Sequence, residues 1–399
     1  MRDILLRRLA AISLGIVLLF AAPRVETARR PRYGGVLRVE IEAAVSSLEP
    51  TRGVKDLEVS GAKRQFDALI YDRRNTDGTF SSVAGSGLFQ IAEWEPGKHA
   101  TLTANENAPG GRPFVDSIQI QMGRAARDML LDLELGKTDL AEIPVEQARR
   151  AVDRGVRVSV SQPDELLALV FPAGRAGTED ARMREALAAA IDRASIVNFI
   201  LQKNGEAAGG LLPQWSSGTA FLFSTAADAV RAKELWTQMP KSAKLVLGYD
   251  LGDPLEQSVA ERIVVNAREA GIPVMAQAIS GAGATAMAAS GDIDARLMRL
   301  RMPSPVPRVA LMNFLAALSP VTKIDASPLP DPASPQDIYD RERAIVSSYC
   351  VAPLVWLPQV YGLSARVRNW IAPGPGETWP LADVWLDGPA EAASEKEKR

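Results

Sequence analysis

The sequence predicts an open α/β sheet, and three observations carry that expectation. Strand-like and helix-like segments alternate along most of the chain, the rhythm of βαβ units. The helix-like segments end on glycines, at Gly136, Gly205 and Gly271, as helices that stop in a left-handed turn do. The composition is that of a globular protein with ample core: 399 residues, 47% hydrophobic and 24% charged. At roughly 100 to 200 residues per domain, the length allows two or three structural units.

The elements follow in order. Residues 35–41 alternate apolar and polar side chains and read as a strand opening the folded region, after a basic linker at Arg29-Arg30-Pro31-Arg32. Residues 88–94 and 99–104 flank Glu95-Pro96-Gly97-Lys98, where proline second and glycine third suit a type II turn, so this is a hairpin. Residues 124–135 carry leucines at 130, 131, 133 and 135, stop at Gly136 and give way to a strand over 139–143. A second helix begins at Thr178, with Glu179 and Asp180 at its positive end and Met183, Leu187, Ala190 and Ile191 on one face. Asp192 caps a third helix to about Lys203, stopped by Gly205. Residues 245–249, 255–269 and 272–279 read as strand, helix and strand. Proline-dense stretches at 303–307 and 327–335 read as stiff loops, and residues 352–363 as a long apolar strand. There is no internal repeat.

Composition excludes several functions. Forty-six Lys plus Arg against 48 Asp plus Glu leave a net charge of -2, which gives no basic field for nucleic acid. With one His and one Cys, His99 and Cys350, no Cys/His zinc site can be assembled, and a hydrolytic triad has a single candidate base. No metal, cofactor or catalytic residue is therefore assigned. Cys350 reads as a buried small hydrophobe and His99 as a solvated hairpin residue. The carboxylates Asp292 and Asp294, and Glu93 and Glu95, sit two apart, as strand-face neighbours do, and read as surface acids. Residues 281–286 fit G-x-G-x-x-A, the dinucleotide fingerprint. The acid expected about 20 residues on is absent, however, and a small-residue helix start is the better reading.

The N-terminus reads as an export signal, residues 1–28. Arg2, Arg7 and Arg8 precede an apolar run over 9–22 that falls short of the roughly 20 residues a membrane-crossing helix needs. Ala21-Ala22-Pro23 and Glu26-Thr27-Ala28 are both imperfect cleavage sites, so a periplasmic protein and one tethered by an uncleaved N-terminus both remain open. No cysteine follows the run, which excludes a lipid anchor there. Residues 386–399 form a charged tail.

Several landmarks then occur in order. They are Tyr33-Gly34-Gly35-Val36-Leu37-Arg38-Val39 with Leu48-Glu49-Pro50, Gly85-Ser86-Gly87-Leu88-Phe89 leading to Glu93-Trp94-Glu95-Pro96-Gly97, the loop 105–114, residues 135–144, and Met183-Arg184-Glu185-Ala186-Leu187 through Ile191-Asp192-Arg193. In this order they resemble the extracytoplasmic solute-binding proteins of ABC importers, family 5, the dipeptide-, oligopeptide- and nickel-binding type. The resemblance implies a type II periplasmic-binding fold, two α/β lobes joined by a hinge that close on a ligand. Lobe one is then 32–169 with the return segment 354–385, and lobe two is 170–353. Residues 66–72 match the helix leading into an extra subdomain of the family, yet 75–82 run directly to the Gly85 motif, so that subdomain is expected to be missing.

The family's ligand-pairing aspartate also has no counterpart. The corresponding stretch is Arg299-Leu300-Arg301-Met302-Pro303, and arginine forks pair with carboxylate or phosphate, so an anionic solute follows unless these are ordinary solvated charges. The resemblance places Glu42, Ser46 and Ser47, and Ser86, Gly87 and Phe89, along the cleft. It sets Trp356 and Gln359 near the hinge, where a tryptophan either stacks on a ligand or fills core. The function implied is a noncatalytic, monomeric protein that captures a small peptide-like or anionic solute and delivers it to an ABC permease in the membrane. The alternative is a degenerate member acting as an interaction or sensory module.

Overall fold

The computed structural model describes residues 30–45, 69, 87–108, 110–217, 223–239, 244–280 and 293–388. Residues 1–32 separate as a unit of their own, of which the described 30–32 are exposed and irregular. The expected export segment, Ser46, Ser47, Ser86, Asp292 and the 281–286 stretch lie outside the described residues. Among those described, no helix is long and apolar enough to cross a membrane.

Residues from Tyr33 onward build two sheets. Strands β1 (Val36–Glu40), β2 (Phe89–Glu95), β3 (His99–Ala104), β4 (Ser117–Gln121), β5 (Leu140–Glu142), β6 (Arg157–Val160) and β13 (Val360–Leu363) form a seven-stranded sheet in the order β2-β3-β4-β1-β5-β13-β6. Its centre is parallel: β1 pairs with both β4 and β5. The hairpin forms as expected, with Gly97 at a φ of 71° in the turn. Helices α1 (Ala126–Glu134) and α2 (Ala148–Asp153) flank the strands, and Gly136, at a φ of 67°, ends the first.

The second sheet has six strands: β7 (Glu165–Val170), β8 (Glu206–Ala207), β9 (Leu245–Asp250), β10 (Val274–Ile279), β11 (Ala295–Arg301) and β12 (Val351–Leu357), in the order β10-β9-β11-β7-β12-β8. Strand β7 is buried on both faces, which is why it reads Glu-Leu-Leu-Ala-Leu-Val without polar alternation. Leu166, Ala168 and Val170 join one apolar cluster, Leu167 and Leu169 another. Helices α3 (Ala181–Ala190), α4 (Ala229–Thr237) and α5 (Pro254–Glu269) pack on this second cluster. Helices α6 (Pro307–Leu318) and α7 (Pro335–Ser347) pack on the first.

The sheets move several expected boundaries. The expected lobe boundaries at 169/170 and 353/354 cut through β7 and β12, which pair with each other and lie wholly in the second sheet. The chain crosses between sheets at 161–164 and at 358–359 instead. The apolar run 352–363 is therefore two strands in different lobes, divided at Pro358. Helix α3 starts at Ala181, because the Asp180 carboxylate takes the Arg182 N–H and caps it, while the Thr178 hydroxyl donates to Asp294 O. Asp192 caps as expected, but the helix it starts ends at Leu201, where Gln202 and Lys203 take the left-handed turn. Gly205 has a steric role instead: a Cβ there would stand 2.7 Å from Leu201 Cδ1 and 3.0 Å from Trp356 O.

Candidate functional site

In an open α/β sheet the ligand edge is the one where the parallel strands end, and both sheets turn that edge toward the crossings. In lobe one, β1 ends at Glu40 and runs on to Glu42, and β5 ends at Glu142, directly across from Tyr361 at the start of β13. Ile143 N donates to Val360 O at 2.9 Å, so this edge meets the crossing. In lobe two, Arg301 pairs in register with Glu165, and Leu357 also pairs with Glu165, which brings the end of β11 to the same place.

The crossings are bonded to each other. Ser161 N donates to Gln359 O, Gln359 N to Ser161 Oγ, both at 2.9 Å, and Asp164 N to Leu357 O at 3.1 Å. Gln359 spans the hinge with its side chain. Its Nε2 donates to Asp164 Oδ2 at 2.6 Å, and its Oε1 accepts from the Tyr361 hydroxyl at 2.7 Å. Tyr361 is anchored in lobe one against Trp370, ring centroids 5.3 Å apart, and Trp370 in turn packs on Trp379.

Acids crowd this edge. Arg299 Nη1 donates to Glu165 Oε2 at 2.8 Å and its Nε to Asp253 Oδ2 at 2.6 Å, with Glu256 Oε1 at 3.9 Å. Asp253 divides its oxygens: Oδ1 caps α5 by accepting from Leu255 N and Glu256 N, leaving Oδ2 for the arginine. Arg301 makes a looser contact, 3.5 Å to Glu165 Oε1. Burial works against charge on Arg299, but Glu165 and Asp253 outweigh it and hold its pKa above the usual value. Glu165 opposes Arg301 above all and keeps that guanidinium charged as well. Burial would raise Glu165, yet the two arginines bring it below the ordinary carboxylate range.

The neighbouring acids go the other way. Glu142 is raised by burial and by Glu42, against a pull from Arg301 and the Glu42 N–H. Glu146, in the turn after β5, is raised by burial and by Asp253 and Glu42, against its own N–H and Arg299. Asp164 is 1% exposed, and burial pushes it up to about 6. Its Oδ1 is buried without a hydrogen-bond partner among the described residues.

The expected residues scatter against this geometry. Glu42, Arg299, Arg301 and Gln359 come together at the crossing edge. Gly87 and Phe89 do not: Phe89 pairs with Ala104 and lies level with the start of β1, at the opposite edge of the sheet. Phe89 is 0% exposed, packed in the lobe-one core. Trp356, 2% exposed, fills core beside Phe314 on the face that α6 covers. Arg299 is committed to carboxylates of its own lobe, whereas Arg301 has only the looser Glu165 contact, and its Nε is buried without a hydrogen-bond partner among the described residues. Glu142, Glu146, Asp164, Glu165, Asp253 and Glu256 were not expected. Glu142 had a signal, as an acid ending a parallel strand, and Asp253-Pro254-Leu255-Glu256 is a helix-start pattern.

Elsewhere the minor expectations resolve as structure. His99 lies between Glu93 and Glu95, 3.2 and 3.3 Å from their oxygens. Asp294 Oδ2 accepts from Val246 N. Cys350 is buried, as expected.

Two sheets, each ending its parallel strands at a pair of short crossings, make the architecture of the type II periplasmic-binding proteins. The chain belongs to the bacterial extracellular solute-binding proteins, family 5, whose profile matches residues 54–318. It is 26% identical over 220 residues to the probable D,D-dipeptide-binding periplasmic protein DdpA of Escherichia coli, covering 53% of this chain and 42% of that protein. It is 30% identical over 127 residues to the oligopeptide-binding protein AppA of Bacillus subtilis, covering 31% and 23%. The matched stretch thus spans less than half the length of these curated relatives. Among solved structures, B. subtilis AppA in complex with a nonapeptide superposes with a TM-score of 0.65 at 13% identity, covering 90% of this chain and 100% of that one. NikA of Staphylococcus aureus in complex with Ni(L-His)2 gives 0.61 at 16%, covering 76% and 69%.

Proposed function

We propose that this protein is the extracytoplasmic solute-binding component of an ABC transport system. It captures a small solute between its lobes and presents it to a membrane permease, acting as a monomer without catalysis and without a nucleic-acid partner. In this reading it works in the periplasm, either free or held by its N-terminal segment. One observation carries the proposal: the lobes are joined through two short crossings, and charged side chains from both lobes converge at that edge. A solute that contacts both lobes binds the closed state better than the open one, and that difference in affinity drives closure. The family membership and the peptide- and nickel-binding names of its relatives support the same reading.

Of the residues expected from the sequence, Glu42 and Arg301 line the proposed site, and Gln359 sets the hinge. Phe89 and Trp356 serve packing. A thermal-shift screen against peptides, amino acids, sugars, organic acids, phosphates and nickel tests the proposal. A ligand at a hundred times its Kd adds about 2.7 kcal/mol to stability. A hit accompanied by contraction in solution scattering is the expected result, and a flat response from folded protein overturns the reading.

A further inference from the structure

A further contact joins the lobes beside the two crossings, and it is made without a covalent link. Residues 374–377, in the return segment of lobe one, form a tight turn. Glu377 N donates to Gly374 O at 3.0 Å, and the Glu377 carboxylate closes the turn by accepting from Gly374 N at 2.7 Å. Pro375 stands second and Gly376 third, with Gly376 at a φ of 73°, the type II arrangement. The tip of this turn bears on lobe two. A Cβ added at Gly376 would stand 2.9 Å from Pro303 C and 3.5 Å from Ser304 Cα, and closer still to Pro303 O. The approach is backbone to backbone, so no change of rotamer relieves it.

Both sides of the contact are held in place. In lobe two, Met302 is 1% exposed and its N–H donates to Asp164 O at 2.8 Å, which ties the start of the 302–305 stretch to a crossing. Ser216 Oγ donates to Pro305 O at 3.1 Å and Trp215 Nε1 to Pro163 O at 3.0 Å, so the short helix at Gln214–Ser217 braces the same stretch and the same crossing. In lobe one, Trp370 and Trp379 flank the turn and are buried in the lobe-one core. Trp370 packs on Tyr361, whose hydroxyl donates to the hinge residue Gln359. The turn therefore sits close to the axis about which the lobes rotate, where a small displacement is magnified at the lips of the cleft.

We infer that the Gly374–Glu377 turn is a stop on the hinge: its tip rests on Pro303 and Ser304, so Gly376 sets how far the lobes rotate in one direction and, through that, how tightly any solute is held. Rotation that drives the turn into lobe two meets main chain, and rotation the other way withdraws the tip from it. Glycine is required at the tip on two counts, the positive φ and the missing Cβ. For solute affinity the inference rests on reading the protein as a two-lobed trap. The lobe angle itself exists with or without a solute. A variant that displaces the equilibrium between open and closed states changes the apparent affinity for every ligand by one common factor, because it alters the fraction of competent protein and touches no ligand. A residue lining the cleft changes ligands selectively.

Pulsed double-resonance distance measurement on the full chain decides this, with nitroxide labels on V152C in lobe one and L251C in lobe two, both exposed positions, in a C350S background. G376A should displace the interlobe distance by about 3 Å or more, because the lobes must rotate to seat the added methyl. P303G/S304G lets the lobe-two side give way without overfilling the contact, and should broaden the distance distribution instead. Two controls separate backbone strain from the contact. G136A imposes the same strain, at a φ of 67° with open space around the new Cβ, and G374A adds to the same turn a methyl that meets only Glu377. Both should keep the parent distance. Circular dichroism confirms folding, and if G376A does not fold, P303G/S304G decides alone. An unchanged distance in folded G376A, an equal displacement in G374A, or an unchanged distribution in P303G/S304G overturns the stop. Ligands found in the thermal-shift screen should all change affinity by one factor in G376A, and a selective change overturns the action through the hinge. A flat screen overturns the proposed function and leaves the label distances to decide the stop.

Discussion

Asp139 and Asp164 are equally buried aspartates, 0% and 1% exposed, and they sit in opposite circumstances. Asp139 stands before β5 inside lobe one and is fully served. Arg38 donates to it from its backbone N–H, Nε and Nη2, the Ser364 hydroxyl at 2.9 Å, and Arg366 Nε lies 2.8 Å away. Those partners come from β1 and from the return segment, so this one carboxylate ties the opening and closing stretches of lobe one together. Asp164 has a glutamine on one oxygen and no hydrogen-bond partner among the described residues on the other. A buried charge with all its lone pairs matched holds a fold, whereas one left short marks a place where the fold is waiting for something else.

The same substitution separates the two most sharply. Asp139→Asn removes the charge that Arg38, Arg366 and Ser364 converge on and should destabilise the protein by about 3–5 kcal/mol in urea unfolding at neutral pH. Asp164→Asn keeps an acceptor for Gln359 and removes a charge that burial disfavours, so it should stabilise. Its size follows from linkage. The folded-state value is raised from 3.8 to about 6, so the contribution to stability is full below 3.8 and is lost as the pH rises through 6. The variant should be up to about 3 kcal/mol more stable than the parent at pH 7 and equal to it near pH 3. Equal losses from both substitutions would erase the distinction.

Glu342 sharpens the contrast within lobe two. It lies on α7, buried, accepting from Leu212 N at 2.8 Å with no ion pair to any described residue, and burial pushes it up to about 7. Stability should therefore fall as the pH rises from 4.5 to 7, by up to about 3 kcal/mol, and Glu342→Gln should flatten that slope in thermal melts. Gly362, between Asp139 and Asp164 in neither role, gives a steric reference. A Cβ there would stand 2.5 Å from Leu133 and 2.6 Å from Ile143, so Gly362→Ala should cost about 1–3 kcal/mol at every pH. The smallest effect is expected at the surface. Ser334→Ala removes the capping box at the start of α7 and should cost about 1 kcal/mol, again independent of pH.

Much of the fold could be read from the sequence, because its signals are local. The hairpin turn at Pro96-Gly97, the stop at Gly136 and the Asp192 cap each depend on a few adjacent residues, and they form where expected. Helices α6 and α7 escaped because the prolines at 307 and 335 read as loop, although proline also suits the first turn of a helix, and Ser334 with Asp337 forms a capping pair. The site was less legible, since its chemistry depends on register. Arg301 meets Glu165 only because β7 and β11 run antiparallel, 136 positions apart in sequence (301 − 165), and nothing near either residue encodes that. Phe89 was misplaced for the same reason. Its motif is close to the N-terminal strands in sequence, but the meander β2-β3-β4 carries it to the far edge.

Strand β13 has a consequence for the order in which the molecule can be made. It lies between β5 and β6, inside the lobe-one sheet, yet it is contributed by residues 360–363, after almost the whole of lobe two. The first 160 residues leave a ribosome with a gap in the middle of their sheet, and β12 leaves a similar gap beside β7. Each sheet has all its strands only once residues 351–363 have been made. Such late, distant pairings fold slowly.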